Sequence, residues 1–240
     1  MTQAVDLLAI GAHPDDVELT CGGTLVKAAK AGYRTGIVDL TRGETGTHGS
    51  AELRMKEAEA AAQVLGVAER INAGFADSAL HNTDDARRHV VSLLRALRPQ
   101  VVILPFPAGR HPDHRVASEL GGDACYLSRL ARYAAGGEVH CVRKVVYALA
   151  YREDSLKPTF VVDVSDEIET KLNAIRCYGS QFDDATAAGE IFPTGQPLYD
   201  LIRTQNRHYG SLIRVAYGEP FLTRETVRID DVVAMGVESI

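Results

Sequence analysis

No apolar run in this 240-residue chain approaches the ~20 residues needed to cross a bilayer. The opening Met1-Thr2-Gln3-Ala4-Val5-Asp6 lacks the basic cluster of a secretory leader, so none is expected. A cationic excess is missing too. Lys and Arg total 26 against 32 Asp and Glu, a formal net charge of −6, which argues against a general nucleic-acid binder. A local basic pocket for a small acidic substrate stays compatible with it. Only four cysteines occur, Cys21, Cys125, Cys141 and Cys177. They have neither CxxC spacing nor the density of a disulfide framework, so reduced thiols and a cytoplasmic location are expected. Cys21 lies near the first polar cluster described below, but a small buried residue is its simpler reading. No G-x-G-x-x-G follows the first strand-like run, which disfavours a dinucleotide cofactor. With no repeat, low-complexity tract or linker, residues 1–240 read as a single domain.

What is present is an alternation of strand and helix signals. Residues 5–11, 35–40, 71–73, 101–106, 144–149 and 160–164 read as strands. Helices are expected over 22–32, 50–65, 84–97, 113–133, 166–178 and 198–213, with a terminal hairpin or strand. Ser50 is an N-cap candidate, and Gly32 and Gly66 are stop signals. Repeated strand–helix–strand units predict an α/β fold, a Rossmann-like three-layer sandwich whose mainly parallel sheet lies between two helix layers. Residues 179–197 predict a long loop, a length often found in lids and binding loops.

Two stretches follow strands, Ala12-His13-Pro14-Asp15-Asp16 and Arg110-His111-Pro112-Asp113-His114. A third polar cluster, Thr41-Arg42-Gly43-Glu44, ends another strand. Ligands of open parallel sheets bind outside the carboxyl ends of the strands, so one shared pocket is predicted. His13, Asp16 and His114 supply two nitrogens and a carboxylate, a set suited to a catalytic zinc with an open position; iron or cobalt also suits it. Asp15 is then the natural general base and His111 the oxyanion partner, oriented and kept charged by Asp113. The reaction class is hydrolysis of an amide or ester. Arg54, Arg110 and Arg42 are candidates for gripping a substrate carboxylate or hydroxyls, with Glu44 beside them. The simpler readings make Asp15 or Asp16 helix caps, pair Arg54 with Glu57 and leave Glu44 a loop charge.

The pair of clusters resembles the LmbE-like, or PIG-L, family of zinc-dependent N-acetylglucosamine deacetylases. Further segments, Asp39-Leu40-Thr41-Arg42-Gly43-Glu44, Arg54-Met55-Lys56-Glu57-Ala58, Tyr178-Gly179-Ser180-Gln181-Phe182 and Tyr209-Gly210-Ser211 with Tyr217-Gly218-Glu219-Pro220-Phe221-Leu222, look like the branch that deacetylates N-acetylglucosaminyl malate in bacillithiol biosynthesis. The resemblance implies one zinc per subunit on His13, Asp16 and His114. It also implies Asp15 as base, His111 supported by Asp113, Arg54 and Arg110 lining the site, and a homo-oligomer, often a hexamer. Thr20, where many relatives have glycine, and residues 183–197 depart from the branch. Deacetylation of free N-acetylglucosamine, chitobiose or a mycothiol-type precursor, or a metal-dependent esterase activity, therefore stays open. A metal-binding protein without catalysis is the reading from another class; the presence of both Asp15 and His111 argues against it.

Overall fold

The computed structural model describes residues 3–149, 156–183 and 197–237. Its centre is a seven-stranded sheet formed by β1 (Leu7–Gly11), β2 (Thr35–Thr41), β3 (Glu69–Phe75), β4 (Val101–Pro105), β5 (Lys144–Ala148), β6 (Phe160–Asp163) and β7 (Gly218–Leu222). The spatial order is β3-β2-β1-β4-β5-β7-β6. The first five strands are parallel, and β7 runs antiparallel between β5 and β6. The predicted α/β fold with a mainly parallel sheet is therefore present.

Period-two alternation sends successive strand side chains to opposite faces. Ala9, Ile37 and Ile103 join one buried cluster, and Leu8, Ile10, Val38, Leu40, Val102 and Leu104 the other. The first is covered by α1 (Asp16–Lys30), α2 (Ala51–Leu65), α5 (Ile168–Arg176) and α7 (Leu198–Ser211). The second is covered by α3 (Asp84–Leu97) and α4 (Pro112–Leu127). A one-turn helix, α6 (Gly179–Phe182), opens the segment expected to be a long loop; most of the predicted 183–197 loop lies outside the described residues.

Local chemistry sets the boundaries. Ser50 accepts from Leu53 N–H at 3.2 Å, and Gly66 ends α2 at φ 70°. The helix expected from Gly22 instead begins at Asp16 and breaks at Cys21, whose φ is −139°. The break frees two N–H groups, and Glu219 on β7 takes them, with Gly23 N at 2.9 Å and Thr24 N at 2.7 Å. A Cβ on Gly23 would meet Val164 Cβ at 2.9 Å, so glycine permits this approach. The expected 113–133 helix stops at Leu127, and the carbonyls of Ser128, Leu130 and Ala135 beyond it accept from the side chain of buried Arg95.

Succession decides where the pocket lies. From β1 the chain moves outward to β2 and β3, then returns to β4 on β1's other side before continuing to β5. The reversal falls between β1 and β4, where outgoing chains diverge and leave a crevice at the carboxyl ends.

Candidate active site

After β1 the chain turns through residues 12–15. Ala12 C=O accepts the backbone N–H and the hydroxyl of Thr41 at the end of β2, each at 2.9 Å, tying the turn to its neighbour strand. Asp15 has φ 109°, a conformation costing a non-glycine residue about 1–3 kcal/mol and kept only where surroundings enforce it. The enforcing contacts come from Arg54 on α2. Its Nη2 donates to Asp15 Oδ2 at 2.5 Å and to Pro14 C=O at 3.1 Å. Gly43 has φ 66° and lies flat against that guanidinium; a Cβ there would sit 2.6 Å from Arg54 Nη1. Asp15 does not cap α1 with its side chain.

The second cluster arrives at the start of α4, where Pro112 suits the first turn. It brings the His111 and His114 rings to 4.8 and 5.4 Å from the His13 ring, centroid to centroid. The ring nitrogens divide their partners. His13 Nε2 faces Asp77 Oδ1 at 3.1 Å and Asp113 Oδ2 at 3.5 Å. His13 Nδ1 faces Asp16 Oδ2 at 3.4 Å, and His114 Nε2 faces Asp16 Oδ1 at 3.1 Å. His111 Nδ1 accepts the Asp113 backbone N–H at 3.2 Å. Among the described residues, the triads whose ligand atoms all lie within 4.8 Å of one another are His13–His111–His114 and His13–Asp77–Asp113; Asp16 reaches His13 and His114 with different carboxylate oxygens.

The electrostatics are those of a cation site. Burial works against a charged His13, but hydrogen bonds to Asp16 and Asp77 override it and push its pKa up to about 11. His114 is also raised: burial opposes the charge and Asp16 outweighs it. Despite burial, the two imidazoles hold Asp16 well below the usual carboxylate range. Asp77 is depressed likewise, its burial outweighed by hydrogen bonds from His13 and Thr45. Asp15 goes the other way; burial lifts it to about 6 against the opposing pull of Arg54. Excess carboxylate thus draws protons onto imidazoles where a divalent cation would otherwise neutralise it, and the donor types suit zinc.

His111 differs from expectation. Burial, with His13 and His114 nearby, lowers its pKa. The Asp113 carboxylate turns to Ser78 N–H at 2.8 Å and to His13. Asp113 therefore acts on His111 through its backbone N–H, which leaves the neutral ring's proton on Nε2. Among the other expected residues, Arg54 is buried against Asp15, away from Glu57, whose carboxylate accepts from Ser180. Glu44 braces the neighbouring loop, accepting Asp77 N–H at 2.9 Å. Arg110 stands exposed beside His111, its carbonyl bonded to Arg115, and Arg42 is exposed. Cys21 is buried in the apolar cluster, and burial pushes its thiol up. Asp77 is the residue that sequence reasoning missed. Its only signal is position, as the first carboxylate after the end of β3.

The profile of the PIG-L family, described as GlcNAc-PI de-N-acetylase, matches residues 8–125. Diacetylchitobiose deacetylase of Thermococcus kodakarensis is 31% identical over 89% of this chain and 80% of its own length. The chain belongs to the PIG-L family. This PIG-L protein also resembles the conserved protein TT1542 from Thermus thermophilus, with TM-score 0.84, 36% identity and coverage of 94% of this chain and 98% of that one. It resembles the N,N'-diacetylchitobiose deacetylase from Pyrococcus horikoshii with TM-score 0.77 and 29% identity, over 91% of this chain and 83% of that one. No helix among the described residues of this PIG-L protein is long and apolar enough to cross a membrane.

Proposed function

We propose that this PIG-L deacetylase removes the acetyl group from an N-acetylglucosamine glycoside, with N-acetylglucosaminyl malate as the substrate to test first. The observation that carries the reading is the convergence of His13 Nδ1 and His114 Nε2 on the Asp16 carboxylate, with Asp15 beside it. Those three residues are the proposed zinc ligands, one ion per subunit. His13 Nε2 is committed to Asp77 and Asp113, which leaves Nδ1 as the ligand nitrogen; such outer carboxylates fix the tautomer and raise ligand basicity. A cation held there supplies Lewis acidity toward the amide carbonyl and makes water a nucleophile near neutral pH.

The chain's own groups do the rest. Asp15 accepts the proton of the attacking water and hands it to the departing amine. The Arg54 contact keeps the carboxylate aimed while it does so. His111 donates from Nε2 to the carbonyl oxygen as negative charge develops there, the moment at which a preset donor stabilises most. Arg110, exposed at the mouth, is the residue proposed to meet an anionic aglycone; Glu44 contributes through the loop that carries Asp77. Cytoplasmic location and a homo-oligomeric, hexameric state belong to the same proposal, and iron or cobalt would satisfy the same donors.

The second reading, a chitobiose-type substrate, is supported by the Thermococcus kodakarensis relative. Amine release is measured in parallel from N-acetylglucosaminyl malate, diacetylchitobiose and free N-acetylglucosamine, with zinc restored and with chelator. Chelator-sensitive turnover favouring the malate glycoside supports the first reading. Preference for diacetylchitobiose replaces it with the second. No turnover of any amino sugar by zinc-loaded protein overturns both.

A further inference from the structure

A groove of about 1450 Å3 lies between α4, β5 and residues 223–228, and none of the histidines or aspartates of the active site lines it. Its floor is apolar, with Val116, Val146, Tyr147 and Phe160. Its rim carries Arg129, Arg143, Lys144 and Arg224. Glu119, Asp123 and Glu225 also line it, but Asp123 is held by Asn82 at 2.9 Å and Glu225 by the Thr223 hydroxyl at 2.8 Å. Two rim cations sit over aromatic rings, Arg129 at 4.2 Å from Tyr126 and Arg224 at 4.8 Å from Tyr147. Tyr126 is nonetheless 57% exposed.

The segment leaving this groove has the opposite character. Val227, Ile229, Val232, Val233, Met235 and Val237 are all exposed, Val232 at 79% and Val233 at 91%. Between residues 229 and 237 the only charges are Asp230 and Asp231. Asp230 meets Arg228 at 2.7 Å, with both side chains largely in solvent, where such a pair contributes little. Apolar side chains concentrated this way on an irregular segment mark an interaction surface. The exposure also shows that the segment does not fill the groove of its own chain, whose wall residues 223–228 already form.

We propose that residues 229–237 are an arm that docks into the α4–β5 groove of a second copy of this chain, apolar residues on the floor and Asp230 and Asp231 toward the cationic rim. Reciprocal exchange gives a closed two-fold contact, because the same two surfaces serve both partners.

The test is the mass of the full chain, read by analytical ultracentrifugation across a concentration series. Three proteins are compared: native, an arm variant (Asp230→Lys, Asp231→Lys) and a groove variant (Arg143→Glu, Lys144→Glu). The native protein should assemble beyond the 26.0 kDa chain. Each variant alone should weaken assembly at least tenfold. An equimolar mixture of the two should restore it, because each reversed surface then meets a reversed partner. A chain ending after Arg228 should lose assembly without any charge change. A monomeric native protein overturns the proposal, whether the arm closes on its own groove or serves another protein. Assembly indifferent to both variants and to the shortened chain overturns it in favour of another face. Failure of the mixture to recover overturns the pairing of arm with groove.

Discussion

At His13 the two ring nitrogens face different carboxylates, and that division sets what the residue can do. Replacing Asp77 by Asn keeps a hydrogen-bond acceptor but removes the charge behind Nε2. Zinc affinity should then fall about 10–100-fold, measured by competition with a chromophoric chelator. Asp15→Asn should keep zinc and lose most turnover, whereas His13→Ala should lose both. Metal analysis beside kcat separates these outcomes, and normal turnover by Asp15→Asn would remove the base assignment. His111→Ala should lower kcat more than tenfold with metal retained. The two histidine clusters are legible in the sequence because each packs its polar groups into five residues around a proline. Asp77 is not, because it stands alone in a loop and gains meaning only when β3 is placed beside β2. The partners of Arg54 are equally illegible. Its (i, i+3) neighbour Glu57 suggests a helix-surface pair, while the fold buries the guanidinium against Asp15.

Helix α1 carries the same lesson at the scale of an element. The sequence shows a helical stretch from Gly22, and that part exists, but the turn before Cys21 is added by tertiary contacts that no local propensity encodes. Lys171, fully buried on α5, donates to Glu219 Oε1 at 2.6 Å while Glu219 takes the N–H groups freed at the break. Removing one partner strands a buried charge. Lys171→Met should therefore lower the unfolding free energy by about 3–5 kcal/mol in urea titration. Adding Glu219→Gln should recover part of the loss, since the amide oxygen still accepts a backbone N–H. If Lys171→Met melts like the native protein, the pair is not what fixes the break. Ends set by Ser50 and Gly66 are legible because each uses a residue whose chemistry is local. The early end of α4 is not; the carbonyls beyond it accept from Arg95, which reaches them from another helix.

For the whole molecule, the alternation of strands and helices makes the sheet legible, and the reversal of strand order between β1 and β4 explains why the two clusters meet. The antiparallel insertion of β7 between β5 and β6 carries no local signal. Asp15, Asp16, Asp77 and Asp113 make the interior of the crevice carboxylate-rich, so zinc should stabilise the folded chain strongly. Adding chelator should lower Tm, and readdition of zinc should restore it; an unchanged Tm would show that the metal contributes nothing to the fold.

The placement of His13 after β1 and of His114 after β4 has a kinetic meaning. β1 and β4 are neighbours in space but are separated in the chain by two intervening strand–helix units, so their pairing closes a long loop and is slow relative to local contacts. Neither the segment after β1 nor the segment after β4 holds the ligand set by itself. Zinc capture thus reports a late event, and refolding followed by a zinc-sensitive dye should lag behind the recovery of helix signal.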